Sequence, residues 1–279
     1  MAATTGLSKG GTLFFSSLCA STFGLGCWQA TRYFEKIEQV EQREKELAQE
    51  PVELEAGATC SKGEYASDKD QIQNDGADEV DRGHRPILVN GKFRHENEIL
   101  VGPRGPPLGA LSSVGPNSGR SGGGMASSPQ GFYCLTPLER DNGKGTVIVN
   151  RGWIPRSYIK ENVAWSRPTG NVSIVGVTSK TEQPRFMSPP HNAKEPRQLL
   201  WFDRKEIEHR TNTNGQKPLL LTETIGKSEN NEGPPFKPTK ESVGEFKVTP
   251  TTHAGYAVTW FGLSTAGIVM TRKLITRGR

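Results

Sequence analysis

The placement of charge constrains this chain more than any motif. Charged residues run through the middle of the 279-residue sequence, yet Gly10–Thr31 and Ala254–Thr271 contain none. At ~1.5 Å per helical residue, these stretches of 22 and 18 residues extend ~33 and ~27 Å, enough for a bilayer core. Arg272, Lys273, Arg277 and Arg279 follow the second stretch, a positive-inside pattern. The expected fold class is an α+β membrane protein. Two transmembrane helices, residues 10–31 and 254–273, flank one β-rich soluble domain, residues 32–253, and a basic tail covers residues 274–279. The lipid bilayer is then a partner. Only 11 of the 22 residues in the first stretch are apolar, which leaves a signal-peptide core as an alternative. Ser16, Ala20 and Gly24 form a small-residue stripe suited to helix packing, with Gly262 and Ala266 at matching spacing.

Between the two ends lie 222 residues, enough for one domain. Two insertions contribute little core and are expected to be disordered. Pro51–Arg82 carries nine acids against three bases, and Pro103–Gln130 is Gly, Pro or Ser at 18 of 28 positions. Strand-like runs stand at Ile87–Phe93, Glu98–Val101, Phe132–Leu138, Thr146–Arg151, Val172–Thr178 and Pro218–Thr222. Asp141–Gly145 reads as the turn of a hairpin. Asp203 with Glu206 resembles a capping box opening a short helix near Ile207. The helix begun at the first apolar stretch continues past Trp28 and stops at Pro51.

Several chemistries lack their signatures. The net charge of +5 comes with no basic patch interleaved with aromatics, so no nucleic acid is expected. Cys19, Cys27, Cys60 and Cys134 show no CxxC spacing, and no two histidines stand at i, i+2 or i, i+4, so no metal site is read. No nucleophile elbow, HExxH or Walker loop occurs, and Gly122–Gly124 opens no helix. The chain is read as a non-enzyme without catalytic residues.

Two dense constellations remain. In Val147–Pro155 a β-branched strand ends on Asn150, Arg151 and Trp153 around Gly152. One reading is a structural corner, with Arg151 paired to a carboxylate and Trp153 in the core. The other is a partner-docking edge, for which Arg and Trp are favoured anchors. At the second apolar stretch, 100° per residue puts His253, Tyr256, Trp260 and Ser264 on one helix face. They form either an interfacial aromatic belt or a slot for a flat apolar molecule with His253 as axial ligand.

Taken together, these motifs resemble the surfeit-locus protein one family. The resemblance is carried by Gly26-x-Trp28-Gln29-x-x-Arg32-x-x-x-Lys36, Pro86-x-x-Val89-x-Gly91-x-Phe93, Gly131-Phe132-Tyr133-x-x-Thr136-Pro137-Leu138, Val149–Pro155, Trp201-x-Asp203 and His253-x-x-Tyr256-Ala257-x-Thr259-Trp260-Phe261. It implies an assembly factor for cytochrome c oxidase, assisting haem a insertion into, or stabilisation of, the catalytic subunit. The implied partners are that subunit and other oxidase assembly factors. The implied cofactor is haem a, contacted by His253, Tyr256 and Trp260, with His253 as the possible iron ligand. The implied location is the mitochondrial inner membrane, multi-pass, with the soluble domain in the intermembrane space and both termini in the matrix. A matrix presequence is usually longer and Arg-rich, so either the start is truncated or the first span carries the targeting signal. The competing readings are a membrane-anchored scaffold without a cofactor and a membrane-tethered hydrolase.

Overall fold

The computed structural model describes residues 8–55, 84–107, 129–179, 181–182, 187, 189–192, 195–226, 231, 233–244 and 248–277. Most of both expected insertions, Cys60 and Gly122–Gly124 lie outside the described residues. The chain divides into two units, Met1–Arg43 with Glu245–Arg279, and Glu44–Gly244.

The first unit is built on two long helices. Helix α1 spans Lys9–Leu47, and the last helix, α5, spans Pro250–Arg277. Both are long, but among the described residues no helix is long and apolar enough to cross a membrane. This overturns the two transmembrane spans. It also overturns the fold class that rests on them and the multi-pass inner-membrane location, with its matrix termini and intermembrane-space domain. The physical reason lies in composition. Freedom from charge is not apolarity, and Gly, Ser and Thr dilute both stretches, with Gln29 added in the first. The helices pack antiparallel through small groups other than the expected stripe. A Cβ on Gly26 would stand 2.7 Å from the Phe261 ring, and one on Gly267 would stand 2.7 Å from the Cys19 Sγ. The Ser264 hydroxyl donates to the Cys19 carbonyl at 2.9 Å. Gly24 and Gly262 face open space instead.

The second unit is a β-barrel with appended strands. Strands β1 (Val52–Glu53), β2 (Ile87–Phe93), β3 (Ile99–Arg104), β4 (Gly131–Arg140), β5 (Thr146–Pro155), β6 (Asn171–Thr178), β7 (Gln198–Leu199) and β8 (Leu220–Glu223) form one sheet ordered β1-β2-β6-β8-β5-β4-β3-β7. A further β2–β4 pairing closes β2, β6, β8, β5 and β4 into a ring. Closure follows from the length of β4. Its N-terminal half pairs with β3 and its C-terminal half with β2, while β5 runs along its other edge. Inside the ring, Val89, Phe93, Leu138, Val147, Val149, Ile174 and Leu221 are buried together. Leu54 joins them, so the start of the acidic stretch does supply core. Period-2 alternation is visible in β2, whose odd positions from Ile87 to Phe93 are buried.

Helix α2 (Arg156–Lys160) follows β5, helix α3 (Arg204–Arg210) packs Ile207 against Ile99 and Leu135, and α4 (Lys240–Gly244) closes the unit. Asp203 caps α3, accepting from the main-chain N–H of Lys205 and Glu206. The reciprocal half of the capping box is replaced. Glu206 pairs with Arg210 at 2.8 Å, one turn along.

Candidate functional site

Strand β5 carries the Asn150–Arg151–Gly152–Trp153 run, and its geometry is set by a bulge. Tyr133 faces Trp153 and Leu135 faces Asn150, so Arg151 and Gly152 together oppose Cys134. Gly152 sits at φ +126°, and a Cβ there would lie 2.6 Å from the Phe236 carbonyl oxygen. Only glycine fits this position without strain. The bulge turns Trp153 inward, where it is fully buried against Phe236 and donates from Nε1 to the Arg104 carbonyl at 3.0 Å. Asn150 accepts from the Gly152 N–H and donates to the Thr222 hydroxyl. The structure thus places Asn150, Arg151 and Trp153 in the interior.

Arg151 is 3 % exposed and requires a counter-charge. Glu98, at the entry to β3, supplies it. Glu98 Oε2 accepts from Arg151 Nη1 at 3.2 Å and from the Thr136 hydroxyl at 3.1 Å. Its Oε1 accepts from Trp165 Nε1 at 3.1 Å and from Arg167 Nη2 at 3.0 Å. His95 Nδ1 lies 3.6 Å from Oε2, while His95 Nε2 donates to the Pro168 carbonyl at 2.8 Å. Burial pushes the Glu98 carboxyl up. Hydrogen bonds from Cys134 and Arg167 and the charges of Arg167 and Arg151 outweigh it, holding the group below the usual carboxylate range. Cys134 shows the opposite result. Burial, then the Glu98 charge, push its thiol far up, so it stays an unreactive thiol.

This cluster anchors the segment 163–168, whose side chains are mostly exposed. Arg151 Nη2 donates to the Ser166 carbonyl at 2.6 Å, and the Ser166 N–H donates to Pro234. The segment forms one wall of a cleft of about 940 Å³. Phe93, Tyr158, Trp165, Ile174, Pro234 and Lys237 are among its lining residues.

The second constellation lies within the helix pair. His253 Nδ1 stands 2.8 Å from Gln29 Oε1. A carbonyl oxygen can only accept, so Nδ1–H is the donor in this contact. Ala257 and Ser264 are buried on the face towards α1, and Trp260 is half-buried. Tyr256 is 54 % exposed. Trp201 and Asp203, from another motif, meet His191. Its ring lies 4.0 Å from Trp201, and its Nε2 lies 3.5 Å from Asp203.

Sequence reasoning anticipated a carboxylate for Arg151 but named none. It missed Glu98, His95, Trp165 and Arg167. The available signal was a charged residue opening an otherwise apolar strand, Glu98-Ile99-Leu100-Val101, which demands a buried counter-ion.

Fold and site together define a β-barrel domain with a cleft whose wall hangs on a buried ion cluster. The chain belongs to the SURF1 family, whose sequence profile matches residues 17–265. It is similar to Surfeit locus protein 1 of Rattus norvegicus, 27% identical over 268 residues, covering 95% of this chain and 76% of that protein. Surfeit locus protein 1 of Homo sapiens is 29% identical over 262 residues, covering 92% and 75%. The SURF1-like protein of Caenorhabditis briggsae is 28% identical over 265 residues, covering 93% and 74%.

Proposed function

We propose that this chain is a non-enzymatic assembly factor for cytochrome c oxidase. Its partners are the catalytic subunit during maturation and other oxidase assembly factors. The observation that carries this reading is membership of the SURF1 family over a stretch that includes both the Glu98–Arg151 cluster and His253. Haem a is the cofactor the reading names, and the residues fit it. With Nδ1–H donating to Gln29, Nε2 of a neutral His253 would be the nitrogen left to meet iron. Trp260 and Tyr256 supply flat neighbours on the same helix. When bound, haem would add an iron–imidazole bond. Gln29 fixes the ring tautomer, and Ser264 and Gly267 hold the helix pair whether or not His253 has a ligand.

The test compares wild type with His253→Ala, both purified from a haem-a-producing host. The variant should remain folded, lose or shift any haem absorption band, and lower the level of assembled oxidase in cells that depend on it. Identical spectra would remove His253 from haem binding and leave a scaffold without a cofactor. Normal oxidase levels in cells lacking the protein altogether would remove the assembly role.

A further inference from the structure

The cleft has a β-edge as its floor. Strand β6 pairs with β2 from Asn171 to Gly176, but on its other side β8 reaches only Gly176–Thr178. Main-chain groups on a strand alternate in direction. The Val175 carbonyl accepts from the Thr224 N–H, so Val175 faces the β8 side. Asn171 and Ser173, four and two residues earlier, face that side too. Beyond Thr224 the chain leaves β6, because Ile225 pairs with Thr239 instead. The N–H and C=O of Ser173 are thus directed past the end of β8, and Val172, Ser173 and Ile174 line the cleft. An unpaired strand edge is a template for another extended chain.

The walls add chemistry to this edge. Tyr158, Trp165, Pro168, Pro234 and Pro235 offer flat and apolar surface. Arg151, Lys237 and Glu223 line the cleft, and Arg151 shares Glu98 with Arg167 of the wall segment, which leaves one positive charge in excess among these five groups. Arg167 is 46 % exposed and spends one nitrogen on Glu98. Among the described residues, no hydrogen bond engages the Tyr158 hydroxyl. The spare groups are therefore mostly donors, complementary to a carboxylate. Among the described lining residues none is His, Cys or Met, so an iron porphyrin would find only the Tyr158 phenol oxygen or the Lys237 amine as a ligand here.

We propose that this cleft binds an extended polypeptide segment of a partner, apolar and acidic at alternate positions, which adds to the sheet as a strand along the Asn171–Ser173 edge of β6. The ladder supplies the main-chain bonds, the aromatic and proline walls take the apolar side chains, and Arg167 and Lys237 receive the carboxylates. The proposal rests on the assembly reading only for the partner's identity. Binding itself is measured on the purified chain, apart from any oxidase.

The probe is a fluorescein-labelled heptapeptide alternating Val and Glu, titrated with the full-length protein and followed by anisotropy. Saturable binding is expected, weakening with salt and with Arg167→Ala. Ser173→Pro removes one outward N–H and leaves the β2 ladder intact, because Ser173 faces away from β2. It should weaken binding about tenfold, whereas Ser173→Ala should not. If Ser173→Pro misfolds by circular dichroism, N-methylating alternate peptide nitrogens makes the same test on the wild-type protein. Absence of saturable binding would overturn the proposal, as would equal binding of the N-methylated peptide or of a peptide with Gln for Glu. Displacement of the peptide by iron protoporphyrin, with affinity unchanged in Ser173→Pro, would assign the cleft to a flat ligand instead.

Discussion

One carboxylate holds several separate parts of the second unit. Glu98 receives Thr136 from β4, Arg151 from β5, and Trp165 and Arg167 from the cleft wall. Removing one partner of a buried pair leaves the other charge stranded, at about 3–5 kcal/mol. Glu98→Ala should therefore lower stability by that order and free the wall segment, measurable by urea unfolding and by hydrogen exchange at residues 163–168. The pH dependence has a definite sign. The folded Glu98 carboxyl lies below its ordinary value, so its stabilisation is complete above that value and is lost as pH falls through the folded pKa. Glu98→Gln should flatten the slope of unfolding free energy against pH in that acidic window. An unchanged slope would mean that other groups carry the acid sensitivity. Trp153→Ala removes a fully buried ring and its hydrogen bond to Arg104, and should cost about 3–5 kcal/mol. Near-normal stability of that variant would contradict the packing described.

At the level of elements, the bulge in β5 and the α1–α5 seam show how packing selects among residues of equal sequence merit. The seam runs through Cys19, Gly26, Ala257, Ser264 and Gly267, whereas Ser16, Ala20 and Gly24 face outward. Several phases of a helix carry small residues, and only the partner helix decides which phase is used. The contact of Gly267 with Cys19 gives a direct check. A Cβ at Gly267 would stand 2.7 Å from the Cys19 Sγ, near the reach of a disulfide. Gly267→Cys should lose two free thiols on mild oxidation, by mass spectrometry, and the same variant carrying Cys19→Ser should not. Retention of all thiols would place these helices differently.

On the scale of the whole molecule, every strand from β1 to β8 lies within Glu44–Gly244. The ring closes within that unit, and so does the Glu98 cluster. A chain trimmed to residues 44–244 should therefore fold to the same β-rich state and unfold in one cooperative transition with a slow-exchanging β4–β5 core. A non-cooperative transition would show that the two terminal helices are needed for the barrel.

The six longer strands were readable because their pattern is local. Alternation marks β2 at both ends, the Asp141–Gly145 turn marks the β4–β5 hairpin, and Asp203 marks the start of α3. Arg151 announced a need for a carboxylate, since a cation beside a buried strand is unstable alone. What the amino-acid order leaves undecided depends on distant pairing. The β2–β4 closure joins residues far apart in the chain, and only it makes a ring of the sheet. Glu98 meets Arg151 across 53 residues of sequence. Length and freedom from charge do not settle whether a helix crosses a membrane, because that depends on transfer free energy summed over every residue. The sequence marked the six longer strands, the hairpin and a cation in need of a carboxylate, but neither β1 nor β7. The tertiary structure decided which strands meet, which side chains those pairs join, and where, among the described residues, the edge of β6 is left open, because such contacts follow from chain closure and not from neighbours in the sequence.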